Sequence, residues 1–270
     1  MERGVRRAAL ALVASVMLAA CGGDDEGTGD AAGSADERVE AAAAAAAKRS
    51  GLHFDKGISK RACEILTPAM VAETFDVPES ELRQMKMMGC IYSWKEKDAA
   101  GETILEANVT MMRAHETEER AMTWFENATA NKTQEEVRGE VEQVAERARE
   151  DESIDTDLEK KTVDTMGGLM AEALPKDGFR YEPVTGIGDE ARVALNDGAI
   201  WTRVGNLTFT VSAYKGSAQP KPDLDMSDMK DLKKLTRKAT EAQQKWLKEK
   251  HDERKAAATK LARRIVDALP

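Results

Sequence analysis

"GIGDEARVALNDGAIWTRVGNLTFTVSAY", residues 186–214, contains three strand-like runs and two turn signals. The turn signals are Asn-Asp-Gly at 196–198 and Gly-Asn at 205–206, and both are typical of tight connections. They separate the runs EARVAL, AIWTRV and LTFTVSAY, which are rich in β-branched and aromatic residues. The segment therefore predicts a three-stranded antiparallel meander.

Two further strand patterns lie earlier in the chain. CIYSWK alternates, with Cys90, Tyr92 and Trp94 on one face, and a loop around Gly101 leads into ILEANVTMM. This pair predicts an antiparallel hairpin.

Helical patterns accompany both groups of strands. Thr67 is a candidate N-cap with Pro68 at the first helical position, and apolar residues recur at helical spacing after His115. Long helical patterns also follow the meander, but their apolar stripe fades between Lys248 and Lys255. The sequence therefore predicts an α+β fold, with an antiparallel sheet and helices packed on one face, and a kink, a break or an exposed middle in the last helical region.

The N-terminus has the parts of a secretory signal peptide, predicted to span residues 1–20. Three arginines precede an apolar run from Ala8 to Ala20, which ends in small residues. The run is too short to cross a bilayer, because a spanning helix needs about 20 apolar residues.

Leu18-Ala19-Ala20-Cys21 resembles the lipobox of bacterial lipoproteins. The resemblance implies that Cys21 is acylated and becomes the first residue of the mature chain; the alternative is an ordinary cleavage near Ala20. Two or more acyl chains make a stable anchor. We therefore expect a lipid-anchored protein of the cell membrane or outer membrane, facing the periplasm or exterior. Gly22 favours the outer membrane, because it replaces the aspartate that retains many lipoproteins at the inner membrane.

Charge is distributed unevenly after the anchor. The chain has a formal charge of −9, and residues 21–57 are predicted to be a flexible and alanine-rich tether. The domain predicted at 58–270 includes an acidic helical insert at about 131–175 and a basic helical region at about 227–269. Thr133 and Glu136 form a capping-box pattern at the start of the insert.

The basic region suggests two interpretations. Its positive face can bind an anionic surface or an unknown envelope protein, or it can pair with the acidic insert of the same chain. The lysines and arginines that would bind a partner are Lys230, Lys233, Lys234, Arg237 and Lys238.

Cys63 and Cys90 remain once Cys21 is assigned to the anchor. An even pair in an exported protein indicates a disulfide bond. A metal pair or a redox pair is the alternative, although neither CxxC spacing nor a nearby histidine cluster supports it.

Methionines surround the second cysteine. Met85, Met87 and Met88 precede it, and Met111 and Met112 lie on the partner strand. Thioethers can bind Cu(I), but methionine also fills cores that contain few aromatic residues.

Motifs for catalysis are not evident. Gly186 to Ala191 match GxGxxA, but a dinucleotide site needs a strand before the glycines and a helix after them. His53, His115 and His251 share no metal-ligand spacing, and no nucleophile elbow or P-loop is present. The glycines are therefore predicted to serve a turn or bulge.

Three motifs together resemble a known family. The segment Cys63-Glu64-Ile65-Leu66-Thr67, the Cys90–Trp94 strand and the Gly186–Ala191 segment are similar to those of uncharacterised bacterial envelope lipoproteins, best known from actinobacteria. That family shares a lipobox with C-x-L-L-T, C-x-W and G-x-G-D-x-A motifs. The resemblance implies a fold and no particular chemistry.

These features predict a membrane-anchored envelope lipoprotein that acts as a binding or interaction module and is not an enzyme. The alternatives are a carrier of a hydrophobic or lipid ligand, a copper-binding lipoprotein and an envelope hydrolase. We expect no cofactor and no nucleic-acid partner.

Overall fold

The computed structural model describes residues 52–86, 89–97, 99, 101–150, 156, 162–163, 165, 167–168, 170–171, 173–220 and 232–270. The predicted signal peptide, Cys21 and most of the tether lie outside these residues. Within them, no helix is long and apolar enough to span a membrane.

Seven strands and six α-helices are described, together with 3-10 helices at Lys56–Arg61 and Glu79–Glu81. The strands are β1 (Arg83–Met85), β2 (Gly89–Lys97), β3 (Glu102–Ala114), β4 (Tyr181–Pro183), β5 (Glu190–Ala194), β6 (Ile200–Val204) and β7 (Leu207–Ser217). The helices are α1 (Ala62–Ile65), α2 (Pro68–Phe75), α3 (Glu118–Ala128), α4 (Gln134–Glu150), α5 (Leu232–Glu249) and α6 (His251–Asp267).

All seven strands form one antiparallel sheet in the order β1-β2-β3-β7-β6-β5-β4. The predicted hairpin is β2–β3, and the predicted meander is β5–β6–β7. The long strands β3 and β7 join them, with Val109 opposite Val211 at the centre. The predicted α+β class is confirmed.

The larger core covers one face of this sheet. Alternate residues of β2, including Cys90 and Tyr92, point into it, as the period of a strand requires. Leu261 and Ile265 of α6 and Val71 of α2 pack against them and are fully buried. The helices of this core therefore lie on one side of the sheet, and the prediction that helices pack on one face holds for them but not for α3.

Helix α3 differs, because it packs on the opposite face. Ile200 belongs to the larger core, whereas the next residue, Trp201, forms a smaller cluster with Phe125 of α3. Consecutive residues of a strand point to opposite faces, so β6 is buried on both sides.

Side-chain caps define the starts of several helices. The hydroxyl of Thr67 accepts a hydrogen bond from the N–H of Met70 at the start of α2. At the start of α4, the N–H of Thr133 donates to the Glu136 carboxylate at 2.7 Å, and the N–H of Glu136 donates to the Thr133 hydroxyl at 3.3 Å. Both predicted caps are confirmed.

The chain divides into two compact units. Among the described residues, the sheet unit contains residues 52–130, 181–218 and 250–270, and the helical unit contains residues 131–180 and 219–249 where these are described. The predicted interruption of the last helical region is confirmed, because α5 ends at Glu249 and α6 begins at His251. The basic region is therefore divided between the two units, with α5 in the helical unit and α6 in the sheet unit.

The folded sheet unit begins before the predicted boundary at residue 58. Phe54 is buried in the larger core, and Leu52 packs against it. The N–H of Phe54 donates to Oδ1 of Asn206 at 2.7 Å, so this part of the predicted tether is structured. The long-range contact with Asn206 was not visible in a local pattern.

Candidate functional site

Cys63 and Cys90 are joined in the sheet unit. Their sulfur atoms lie 2.10 Å apart and their Cα atoms 5.0 Å apart, so the predicted pair is at bonding distance. The bond links α1 to β2, 27 residues later in the sequence. The position of Cys21 lies outside the described residues, and its acylation stays a prediction.

An open groove of about 400 Å³ lies over this bond, and we call it the disulfide groove. It is lined by residues that include Ser59, Lys60, Cys63, Lys86, Met111 and Met112. Two lysines at the rim and thioether side chains beside a disulfide give the groove a positive and polarisable character. It is the strongest candidate site in the described part of the chain, because it combines a reactive bond with solvent access.

The shape of the groove depends on a β-bulge. The pairing of β3 with β7 shifts between Thr110 and Arg113, where β3 has one extra residue. Met111 occupies this bulge with a φ of 53°, a left-handed conformation that is uncommon for a residue other than glycine. Such bulges redirect side chains near functional sites.

The methionines considered as a copper-binding alternative are only partly assembled there. Met111 and Met112 line the groove, and Met85 of β1 is 48% exposed. Met87 and Met88 lie outside the described residues. In the described residues, no cluster of three or more histidine, cysteine or acidic residues could hold a metal ion.

The GIGDEA segment forms a structural turn before β5, as the sequence predicts. Gly188 has a φ of 58°, and a Cβ atom there would lie 2.5 Å from the Arg203 carbonyl oxygen. The Asp189 carboxylate accepts a hydrogen bond from the N–H of Gly205 at 2.6 Å. A strand follows these glycines, so the segment lacks the helix N-terminus that a dinucleotide site requires.

Arg203 is the centre of a largely buried charge cluster that the sequence did not reveal. Its guanidinium Nη1 lies 3.2 Å from Glu118 and 3.4 Å from Asp189, and its Nε lies 3.9 Å from Glu190. The Arg203 side chain is only 10% exposed. The cluster therefore connects α3 to the turn before β5.

Asn206, in the second turn of the meander, fastens three segments of the sheet unit. Its Nδ2 donates to the carbonyl oxygens of Phe54 at 2.9 Å and His115 at 2.6 Å. Its Oδ1 accepts from the N–H of Phe54, and its own carbonyl accepts from the N–H of His115 at 2.8 Å. A residue that marked only a turn in the sequence is therefore a buried structural anchor.

His115 has a structural environment. Its Nε2 is 3.0 Å from the Thr208 hydroxyl, and its ring lies 5.4 Å from that of Trp124. Burial lowers the pKa of His115, and the positive charge of Arg113 lowers it further. The neutral imidazole is therefore favoured in the folded protein.

This environment makes the stability of the sheet unit depend on pH. Because the folded pKa of His115 is below its unfolded value of about 6.5, the unfolded chain binds more protons near that pH. The contribution of His115 to the free energy of unfolding is complete above about pH 7 and is lost as pH falls through 6.5. We expect urea unfolding midpoints at pH 7.5 and 5.5 to differ less in His115→Gln than in the unmodified protein; an equal difference would contradict the prediction.

A second polar cluster joins the β5–β6 turn to the start of α6. Nε of Arg254 donates to the Asp197 carbonyl at 2.8 Å, and Oδ1 of Asp197 accepts from the N–H of Ala199 at 2.9 Å. Although Asp197 keeps some exposure, its carboxylate is crowded by protein, and burial raises its pKa. A Cβ atom on Gly198 would lie 2.7 Å from the backbone nitrogen of Lys255, so only glycine lets the turn approach α6 this closely.

The basic residues predicted to bind a partner are divided by the structure. Lys230 lies outside the described residues, and the side chain of Lys233 is not described. Lys234 and Lys238 of α5 are half-buried, whereas Arg237 is exposed. The helical unit contains both α5 and the acidic helix α4, and no ion pair between the two helices is found among the described residues.

A second groove, of about 500 Å³, lies at the edge of the sheet beside β1 and β2. It is lined by both charged and apolar residues, among them Glu81, Arg83, Trp94, Lys95 and Ile104. Trp94 is held there by a hydrogen bond from its Nε1 to Glu81 at 2.8 Å. This mixed lining does not favour the hydrophobic-carrier hypothesis, which needs a large apolar cavity.

No protein-family model matches the chain, and neither a curated protein nor a solved structure is detectably similar to it.

Proposed function

We propose that the protein is a lipid-anchored lipoprotein of a bacterial cell envelope, and that its folded part acts as a binding or interaction module without catalysis. The observation that carries the proposal is the pairing of Cys63 with Cys90, because disulfide bonds form and persist in exported proteins. The signal-peptide pattern and the lipobox-like Leu18–Cys21 segment support the same location.

The polar clusters support a binding role in preference to catalysis. Arg203 is surrounded by carboxylates, and Asn206 is saturated by backbone groups. His115 is paired with a threonine hydroxyl. A catalytic site instead needs a nucleophile and a base that reach a cleft. These polar residues are used to hold the fold together.

The partner is proposed to be an envelope protein or an anionic surface. Arg237 offers an exposed positive charge, but half-burial of Lys234 and Lys238 reduces the charge available to such a partner. The copper hypothesis remains an alternative through Met85, Met87 and Met88. It requires Cu(I) binding that is lost when these three methionines are replaced by leucine.

The anchor is tested by the mass of the protein extracted from bacterial membranes with detergent. We expect a chain that begins at Cys21 and carries added acyl mass, with two further thiols that appear only after reduction. A Cys21→Ser variant should lose the acyl mass, because serine offers no thiol for the first acyl group. A native protein without acyl mass, or a Cys21→Ser variant that keeps it, would contradict the proposal.

A further inference from the structure

The two cysteines of the Cys63–Cys90 bond differ in their exposure. Cys63 is partly exposed and lines the disulfide groove, whereas Cys90 is fully buried. A thiolate must reach a sulfur atom directly to attack a disulfide, so access decides which sulfur is attacked. A thiolate that enters the groove therefore meets Cys63 and not Cys90.

Cys90 is buried in the larger core, which disfavours a thiolate, and a hydrogen-bond donor beside its sulfur offsets part of that cost. Nε2 of Gln84 donates toward the sulfur of Cys90 at 3.7 Å and also to the Tyr92 hydroxyl at 2.7 Å. An amide NH₂ group has two hydrogens, so both contacts are possible together. The Leu66 carbonyl oxygen lies 3.8 Å from the same sulfur and can accept its S–H once the thiolate is protonated.

The charge at the rim of the disulfide groove favours a negatively charged molecule. Lys60 and Lys86 are both exposed, and both line the groove. A thiolate, which is the reactive form of cysteine, carries a negative charge, so these lysines attract it.

From these three features we propose that the disulfide groove is a thiol–disulfide exchange site, at which a cysteine thiolate of a dithiol partner protein attacks Cys63. This inference goes beyond the anchoring and binding role, because it assigns a reaction, a direction of attack and a class of partner.

The reaction conserves atoms and electrons. The partner thiolate, having lost its proton to water, forms a bond to the sulfur of Cys63, and the Cys63–Cys90 bond breaks with its electron pair on Cys90. The Cys90 thiolate then takes a proton from water. The second thiol of the partner loses its proton and attacks the partner's first sulfur, which is bonded to Cys63 in the mixed disulfide. Cys63 leaves as a thiolate and takes a proton from water. The partner is oxidised to a disulfide, and this protein is reduced to a dithiol.

The direction of attack is tested with glutathione as the thiol, on the full chain carrying Cys21→Ser so that only Cys63 and Cys90 react. After brief exposure and acid quenching, free thiols are blocked by alkylation, and the modified cysteines are identified by peptide mass spectrometry. We expect at least a ninefold excess of glutathione on Cys63 with the alkyl group on Cys90.

Two results would overturn the proposal. The first is glutathione on Cys90 to an equal or greater extent. The second is a reduction rate that does not increase with glutathione concentration, since attack would then wait for unfolding. A rate proportional to concentration supports attack on the folded protein.

The lysine rim is tested by comparing two thiols of different charge. The ratio of rate constants for glutathione and for cysteamine, whose thiolate form is electrically neutral overall, should fall about fivefold in Lys60→Glu/Lys86→Glu. The matched control is Lys95→Glu/Lys97→Glu, at exposed positions on β2 outside the groove. An equal fall in both variants would assign the effect to overall charge and would remove the rim from the proposal.

Gln84→Met tests the leaving group separately. The rate constants for glutathione and cysteamine should both fall about threefold in this variant, and their ratio should not change. The lost N–H contact is made to Cys90 and not to the attacking thiol. Unchanged rates in this variant would contradict the role of Gln84.

Discussion

Replacing Cys63 and Cys90 together with alanine is expected to lower the free energy of unfolding of the sheet unit by about 3.5 kcal/mol. The disulfide closes a loop with a sequence separation of 27, and without it the unfolded chain gains the entropy of that open loop. Urea unfolding followed by tryptophan fluorescence measures the change.

The unmodified protein treated with a reductant is the control for this variant. Its free energy of unfolding should agree with that of the double variant within about 0.5 kcal/mol. Both proteins lose the same cross-link and differ only in two small side chains. A destabilisation below 1 kcal/mol would mean that the bond does little to restrict the unfolded chain. Agreement between the two samples separates loss of the bond from a packing defect at the buried position of Cys90.

The local features of the sheet could be predicted from the sequence because turns and alternation are short-range signals. The turns at 196–198 and 205–206 define the meander, and alternation through Cys90, Tyr92 and Trp94 defines β2. The pairing of β3 with β7 brings together residues about 100 positions apart, and no local pattern encodes it. A local sequence pattern therefore predicts where a strand lies in the chain, but it says little about which strand pairs with it in the sheet.

The same distinction explains which site residues were missed. Cys63 and Cys90 were predicted as a pair because cysteines are few and an exported protein oxidises them. Arg203 resembles any charged residue of a strand, and its burial among three carboxylates depends on α3 folding onto the opposite face of the sheet. A charge inside an otherwise apolar strand run was the only signal available for it.

The domain boundary was placed too late for a related reason. Residues 52–57 contain a histidine, two charged residues and a glycine, so their composition partly resembles that of the tether before them. The contact of Phe54 with Asn206 joins residues 152 positions apart. Leu52 and Phe54 were therefore the local signs that these residues belong to the fold.

Asn206→Ala is expected to lower the free energy of unfolding by about 3 kcal/mol. The substitution leaves the N–H and carbonyl of Phe54 and the carbonyl of His115 without their side-chain partner in a buried environment. A buried polar group that loses its partner costs about 1–3 kcal/mol. Amide hydrogen exchange gives a second readout, because the N–H of Phe54 should lose protection more than the N–H groups of β6.

Asn127→Ala is the matched control, because Asn127 is exposed on α3 and the same atoms are removed there. We expect its free energy of unfolding to stay within about 0.5 kcal/mol of the unmodified value, as for most surface substitutions. Equal small effects at both positions would show that water replaces the Asn206 amide at no cost. A large effect at Asn206 alone, with loss of protection at Phe54, would establish that this side chain attaches the segment around Phe54 to the meander.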